Sequence, residues 1–151
     1  MSDYPDPTRV VADTDVLAAD LLVGGSAREA IDMIRTHDFL SLITTDTILL
    51  ETHRIIETLT EKGLADDWLS RARRDFPVVE PDGSGQPAIE AAAASNAATV
   101  LSLEERLLST QAGLTIRDHV ATSVRSPRAF VAMVDPAALK VALEEVNDTD
   151  Y

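Results

Sequence analysis

The run Arg9-Val10-Val11-Ala12-Asp13 constrains the fold more than any other stretch. Three consecutive apolar residues without polar alternation describe a strand covered on both faces, as in a parallel sheet, and this one ends in a carboxylate. Similar runs recur: Phe39 to Thr44, the shorter Asp75 to Val79, Thr99 to Ser102, and Val120 to Arg125. Between them lie segments with helical spacing. Val16, Leu17, Leu21 and Leu22 share one broad face within 14–23. Gly24-Gly25 breaks that helix, and Ser26 with Glu29 makes a capping box for the next, which runs to about His37. Thr45 or Asp46 caps a helix through Ile48, Leu49, Ile55, Ile56 and Leu59 to Gly63, and another spans about 64–74 with Trp68 and Leu69 inward. Residues 80–86 are a turn-rich loop, Pro87 opens a small-residue helix over 87–95, and Asn96 stops it. A helix begins at 104–109, Pro127 starts another, and Pro136 restarts one to about Glu145.

Short strands alternating with helices predict an α/β fold. The expected form is a three-layer α/β/α sandwich with a mostly parallel sheet of about five strands and right-handed crossovers. The 151 residues make one domain, 1–151, with a short polar arm at 1–8 and a loose tail at 147–151. Hydrophobic residues are 45% but aromatics only 4%, so aliphatic side chains must fill the core. The absence of cysteine excludes disulfides, thiolate metal sites and cysteine nucleophiles. The N-terminus carries no signal-peptide pattern and no apolar stretch is long enough for a bilayer, so the expectation is a cytoplasmic protein without a membrane.

Net charge is −13, and Lys62 and Lys140 are the only lysines beside eleven arginines. A lysine-poor acidic surface suits solubility in molar salt, where a Debye length of ~3 Å screens self-repulsion. An acidic mimic, or a partner for a basic protein, is the rival reading. The scatter of the acids along the chain favours salt adaptation.

In open parallel sheets, sites form at the carboxyl ends of strands near the point where strand order reverses. Asp13 ends the first strand, Asp15 follows in the first helical turn, and Glu104 lies just past the fourth strand. Asp13 and Glu104 converge if those two strands are neighbours. Glu51 lies in the helix after the second strand, beside Leu49, Leu50, Ile55 and Ile56. Such hard oxygen donors suit Mg²⁺ or Mn²⁺ better than Zn²⁺. The plainer reading makes Asp13 and Asp15 helix caps, Glu104 a first-turn acid and Glu51 a solvated helix residue.

The chain resembles the PIN-domain family on several motifs spread over residues 9–135. These are Val10-Val11-Ala12-Asp13-Thr14-Asp15-Val16-Leu17, with Asp15 where the family usually has Asn; Ile48-Leu49-Leu50-Glu51; Val100-Leu101-Ser102-Leu103-Glu104, with Glu in place of Asp; and Ser123 to Phe130. It also resembles PIN-like proteins from extreme halophiles. The resemblance implies a metal-dependent nuclease acting on RNA, with Asp13, Glu51 and Glu104 as catalytic and metal-holding acids. Mg²⁺ or Mn²⁺ would be the cofactor, and Thr14, Asp15 or Thr45 would orient substrate or ligands. One further family acid is missing, with Gly85 at its place; Asp82 and Glu90 are near but do not align. The alternative is a degenerate PIN-like domain that binds RNA or protein without cutting.

Arg71, Arg73, Arg74, Arg125 and Arg128 are the candidate RNA contacts, against the negative net charge. His37, His53 and His119 lack metal-ligand spacing, and Ser26 and Ser102 lack a nucleophile-elbow setting. Apolar residues in 14–23 and 46–60 allow a homodimer seam as well as ordinary core packing.

Overall fold

The computed structural model describes residues 5–81, 83, 85–109 and 122–149. The elements run β1 (Asp6–Ala12), α1 (Thr14–Leu22), α2 (Gly25–Thr36), β2 (Ser41–Ile43), α3 (Asp46–Leu59), α4 (Lys62–Asp75), α5 (Pro87–Ser95), β3 (Ala97–Leu101), α6 (Glu105–Ser109), β4 (Ser123–Arg125), α7 (Pro127–Met133) and α8 (Pro136–Thr149). The strands form one parallel sheet in the order β2-β1-β3-β4, flanked by helices. Val10, Val11 and Ala12 are all buried, so both faces of β1 are covered, as its unbroken apolar run requires.

The sheet has four strands among the described residues. The expected strand at 75–79 shrinks to a single bridge between Val78 and Thr44. Pro77 lacks an N–H, so the segment contributes only the Pro77 carbonyl and the Val79 amide to Thr44. β1 begins at Asp6, inside the expected arm, and α8 runs into the expected tail, to Thr149. Val120, Ala121, His119, Asp82 and Ser84 lie outside the described residues.

The capping box expected at Ser26 does not form. α2 starts two residues earlier, from Gly24 at φ 85° through Gly25 at φ 58°, two left-handed positions where a side chain would be strained. The Arg28 guanidinium fills that corner and donates to the carbonyls of Asp20 (2.8 and 3.1 Å) and Leu21 (3.3 Å), closing the end of α1. Asn96, at φ 57°, ends α5 as its sequence position predicts.

Aliphatic side chains fill the core, with Trp68, Phe76 and Phe130 as its aromatics. Ile48, Leu49 and Ile56 seat α3, each worth about 1.5–3 kcal/mol for full burial. Val16 and Leu17 do the same for α1, and Leu21 and Leu22 pack partly buried against the core, so much of the apolar surface considered for a dimer seam is spent within the chain. Those left at the surface are Val23, Leu50 and Leu59. Ala88, Ala91, Ala92 and Ser95 are buried on α5, and their small size lets its backbone lie close to β1 and β3. That approach brings the start of α5 over the end of β1.

Candidate functional site

The strand order places the sheet's switch point at β1 and β3: the chain leaves β1 for β2 on one side and returns to β3 on the other. Ala12 pairs with Leu101 in register, so Asp13 and Ser102 leave the sheet side by side. The backbone ladder carries one step further, with Asp13 N–H donating to Leu101 and Ser102 N–H to Arg125.

Asp13 caps α1, its Oδ1 accepting the Thr14 N–H at 2.8 Å. Its Oδ2 accepts the Gln86 side-chain amide at 3.1 Å and the Ser102 hydroxyl at 3.3 Å. The same Ser102 hydroxyl accepts the Glu104 N–H at 3.0 Å. On the other side the Thr14 hydroxyl donates to Glu51 Oε2 at 3.2 Å. One hydrogen-bonded chain therefore joins Glu51, Thr14, Asp13, Ser102 and the Glu104 backbone, drawn from α1, α3 and the segment after β3. Asp15 ties in separately: its Oδ2 accepts the Leu103 N–H at 3.1 Å. The remaining oxygen, Oδ1, is buried without a hydrogen-bond partner. The Val16 amide is near Asp15 but donates to the Asp13 carbonyl instead.

Burial and neighbouring negative charge raise the proton affinity of Asp13 and Asp15. Asp13 is 7% exposed, and desolvation lifts its pKa above the usual carboxylate value despite hydrogen bonds from Thr14, Ser102 and Gln86 that pull it down. Asp15 is lifted to about 6, first by burial and then by the Asp13 charge, with a smaller push from Glu104. No ion pair among the described residues reaches Asp13, Asp15, Glu51 or Glu104. Glu104 projects to solvent and Glu51 is half-buried.

Thr14 and Thr45 are both placed by the fold, with different duties. Thr14 orients Glu51. Thr45 is 1% exposed and its hydroxyl accepts the Ile48 N–H as the cap of α3, so it holds the helix that carries Glu51. Gln86 is the residue that sequence reasoning misses. Its only signal is the Gln86-Pro87 pair opening a helix: the side-chain Oε1 caps Ile89 N–H, leaving the amide nitrogen free to reach Asp13. Gly85, where the resemblance leads one to expect an acid, is exposed, and a Cβ there would stand 2.7 Å from Glu90 Oε1. Glu90 thus folds back over the loop of Gly83 and Gly85.

A tight trio of His or carboxylate side chains occurs elsewhere among the described residues. His53, Glu57 and Asp66 bring ligand atoms within 4.8 Å of one another at the α3–α4 contact; Asp13, Glu51 and Glu104 do not draw together so closely. Asp66 is bonded there to His53 at 2.7 Å and Lys62 at 2.6 Å, an ion-pair network between helices. A cavity of about 570 Å³ sits at the amino end of β2, lined by Arg35, His37, Arg74 and Phe76 among others, and contains none of the candidate acids. Arg71, Arg73 and Arg74 each face a carboxylate, of Asp67, Asp46 and Asp75. No helix among the described residues is long and apolar enough to cross a membrane.

A family profile matches residues 4–151, and its description is a family of unknown function (DUF7384). No curated protein matches the sequence.

Proposed function

We propose that this chain, which belongs to the DUF7384 family, is a PIN-like ribonuclease of three-layer α/β/α form that uses Mg²⁺ or Mn²⁺. The observation that carries this reading is the hydrogen-bonded chain at the switch point, which links Asp13 and Glu51 through Thr14, and Asp13 to the Glu104 backbone through Ser102. The residues fit a hard divalent cation, because every candidate donor is a carboxylate oxygen and none is engaged by Lys or Arg. Asp13, Glu51 and Glu104 would hold it. A bound cation supplies an activated water and neutralises charge developing on a phosphodiester.

The chain's own groups prepare the place. Ser102 and Gln86 lock the Asp13 carboxylate, and Thr14 sets the Glu51 oxygen. The amino ends of α1 and α5 meet beside it, where their partial positive charge favours a phosphate. The negative net charge opposes long-range capture of RNA, so affinity must come from contacts at the site itself.

The test is cleavage of end-labelled single-stranded RNA with Mn²⁺ in molar KCl. Cleavage abolished by chelation is expected, and Asp13→Asn should lower it by roughly 100-fold or more, since loss of even an outer-shell partner costs about 10–100-fold. An intact RNA after prolonged incubation would overturn the nuclease reading. One observation favours a second reading, a non-catalytic PIN-like domain that binds RNA or protein: Gln86 and Ser102 both donate to Asp13 Oδ2 and occupy that oxygen. RNA retained in a gel shift without turnover would decide for it.

A further inference from the structure

We infer that Asp15 is a direct ligand of the divalent cation at this site, contributing its Oδ1. This rests on the cation-binding reading above and adds a residue that reading does not need.

Little of the Asp13 carboxylate is free. Its Oδ2 already accepts from Gln86 and Ser102, and its Oδ1 from Thr14. One lone pair is left, on Oδ1. Glu104 projects to solvent and Glu51 stands across Thr14, so a cation resting on Asp13 needs another oxygen from close by. Hard divalent ions take about six oxygen ligands, so one more protein donor is readily used.

Asp15 has that oxygen. Its Oδ2 is pinned by the Leu103 N–H, which fixes the carboxylate between the start of α1 and the segment leading to Glu104. Its Oδ1 is buried and accepts no hydrogen bond. A buried acceptor without a partner is uncommon because desolvation is left uncompensated. The charged groups facing it are Asp13 and Glu104, both negative. Near like charges and with no cationic side chain paired to it, an unpartnered carboxylate oxygen attracts a cation, which competes there with a proton.

The substitution Asp15→Asn separates ligation from packing. The asparagine side chain would keep a carbonyl oxygen for the Leu103 N–H and nearly the same volume, while putting a neutral amide nitrogen where Oδ1 stands. A merely structural Asp15 loses nothing by this change. A ligand loses its donor.

The experiment is Mn²⁺ titration by calorimetry in molar KCl on the full chain and its Asp15→Asn variant, with thermal melts verifying that both fold. Manganese spin resonance on the same samples reports the bound ion directly. The expected result is saturable binding by the parent and at least a roughly 10-fold weaker Kd in Asp15→Asn. Equal Kd in the two proteins would overturn the role of Asp15 and leave the cation reading standing. No binding by the parent would overturn both.

Discussion

Asp13 and Asp15 at the carboxyl end of the sheet, and Asp66 between α3 and α4, carry the same chemical group in opposite surroundings. Burial lifts the pKa of the first two, and no cationic side chain offsets it. Asp66 is held below its usual value, first by the Lys62 hydrogen bond and then by His53. The fold equips Asp66 with partners and leaves Asp15 with an unsatisfied oxygen. Carboxylates of the second kind cost stability, and such sites are where function is to be sought. Asp66 is better understood as a surface link between two helices, despite its closer resemblance to a metal trio.

The largest expected effect on stability comes from deleting the Asp13 carboxylate. Asp13→Ala strands the Gln86 amide, the Ser102 hydroxyl and the Thr14 N–H and removes the cap of α1. The cost should be about 3–4 kcal/mol in urea unfolding. A loss under 1 kcal/mol, roughly that of a cap alone, would mean the network is not formed in solution.

Asp15 should act in the other direction. Its pKa rises from 3.8 to about 6 on folding, so the folded state binds more protons in that window. Stability is then highest below pH ~4 for this group and falls as pH rises towards ~6. The full shift corresponds to about 3 kcal/mol, reduced by partial exposure to about 2. In chelated buffer, Asp15→Asn should flatten that slope and melt higher than the parent at pH 7. A variant that melts lower, with the slope retained, would break the contrast with Asp66.

The smallest effect belongs to Asp66→Asn. Its depressed pKa contributes stability above the unfolded value, lost as pH falls through the folded one, the opposite sign to Asp15. The group is exposed, so the variant should lower Tm by only about 1–2 °C, and molar salt should shrink that further. A change as large as that at Asp13 would show that the α3–α4 link matters more than its exposure implies.

Much of this was legible in the chain. The unbroken run Val10 to Ala12 announced a strand buried on both faces, and Pro87 and Asn96 marked the ends of α5. Asp13 and Glu104 stood out because they follow strands that became neighbours. Other features were not legible. Phe76, Val78 and Val79 have strand composition, yet only one bridge forms beside Pro77. Ser26 and Glu29 spell a capping box, but two glycines with positive φ let α2 begin earlier. Gln86 looked like a loop residue because nothing local reveals where its amide nitrogen points.

The sequence by itself determined the alternation of strands and helices, the aliphatic core and the acids that follow strand ends. These depend on periodicity and on caps, which act over about three or four residues. Tertiary structure alone decided the order β2-β1-β3-β4 and what it joins: Asp13 to Gln86 across 73 residues, Asp13 to Ser102 across 89, and Asp15 to Leu103 across 88. Partners so far apart meet only when strand order and helix packing bring them together. The burial that raises Asp15 to about 6 is likewise a property of the assembled core rather than of residues 13 to 16.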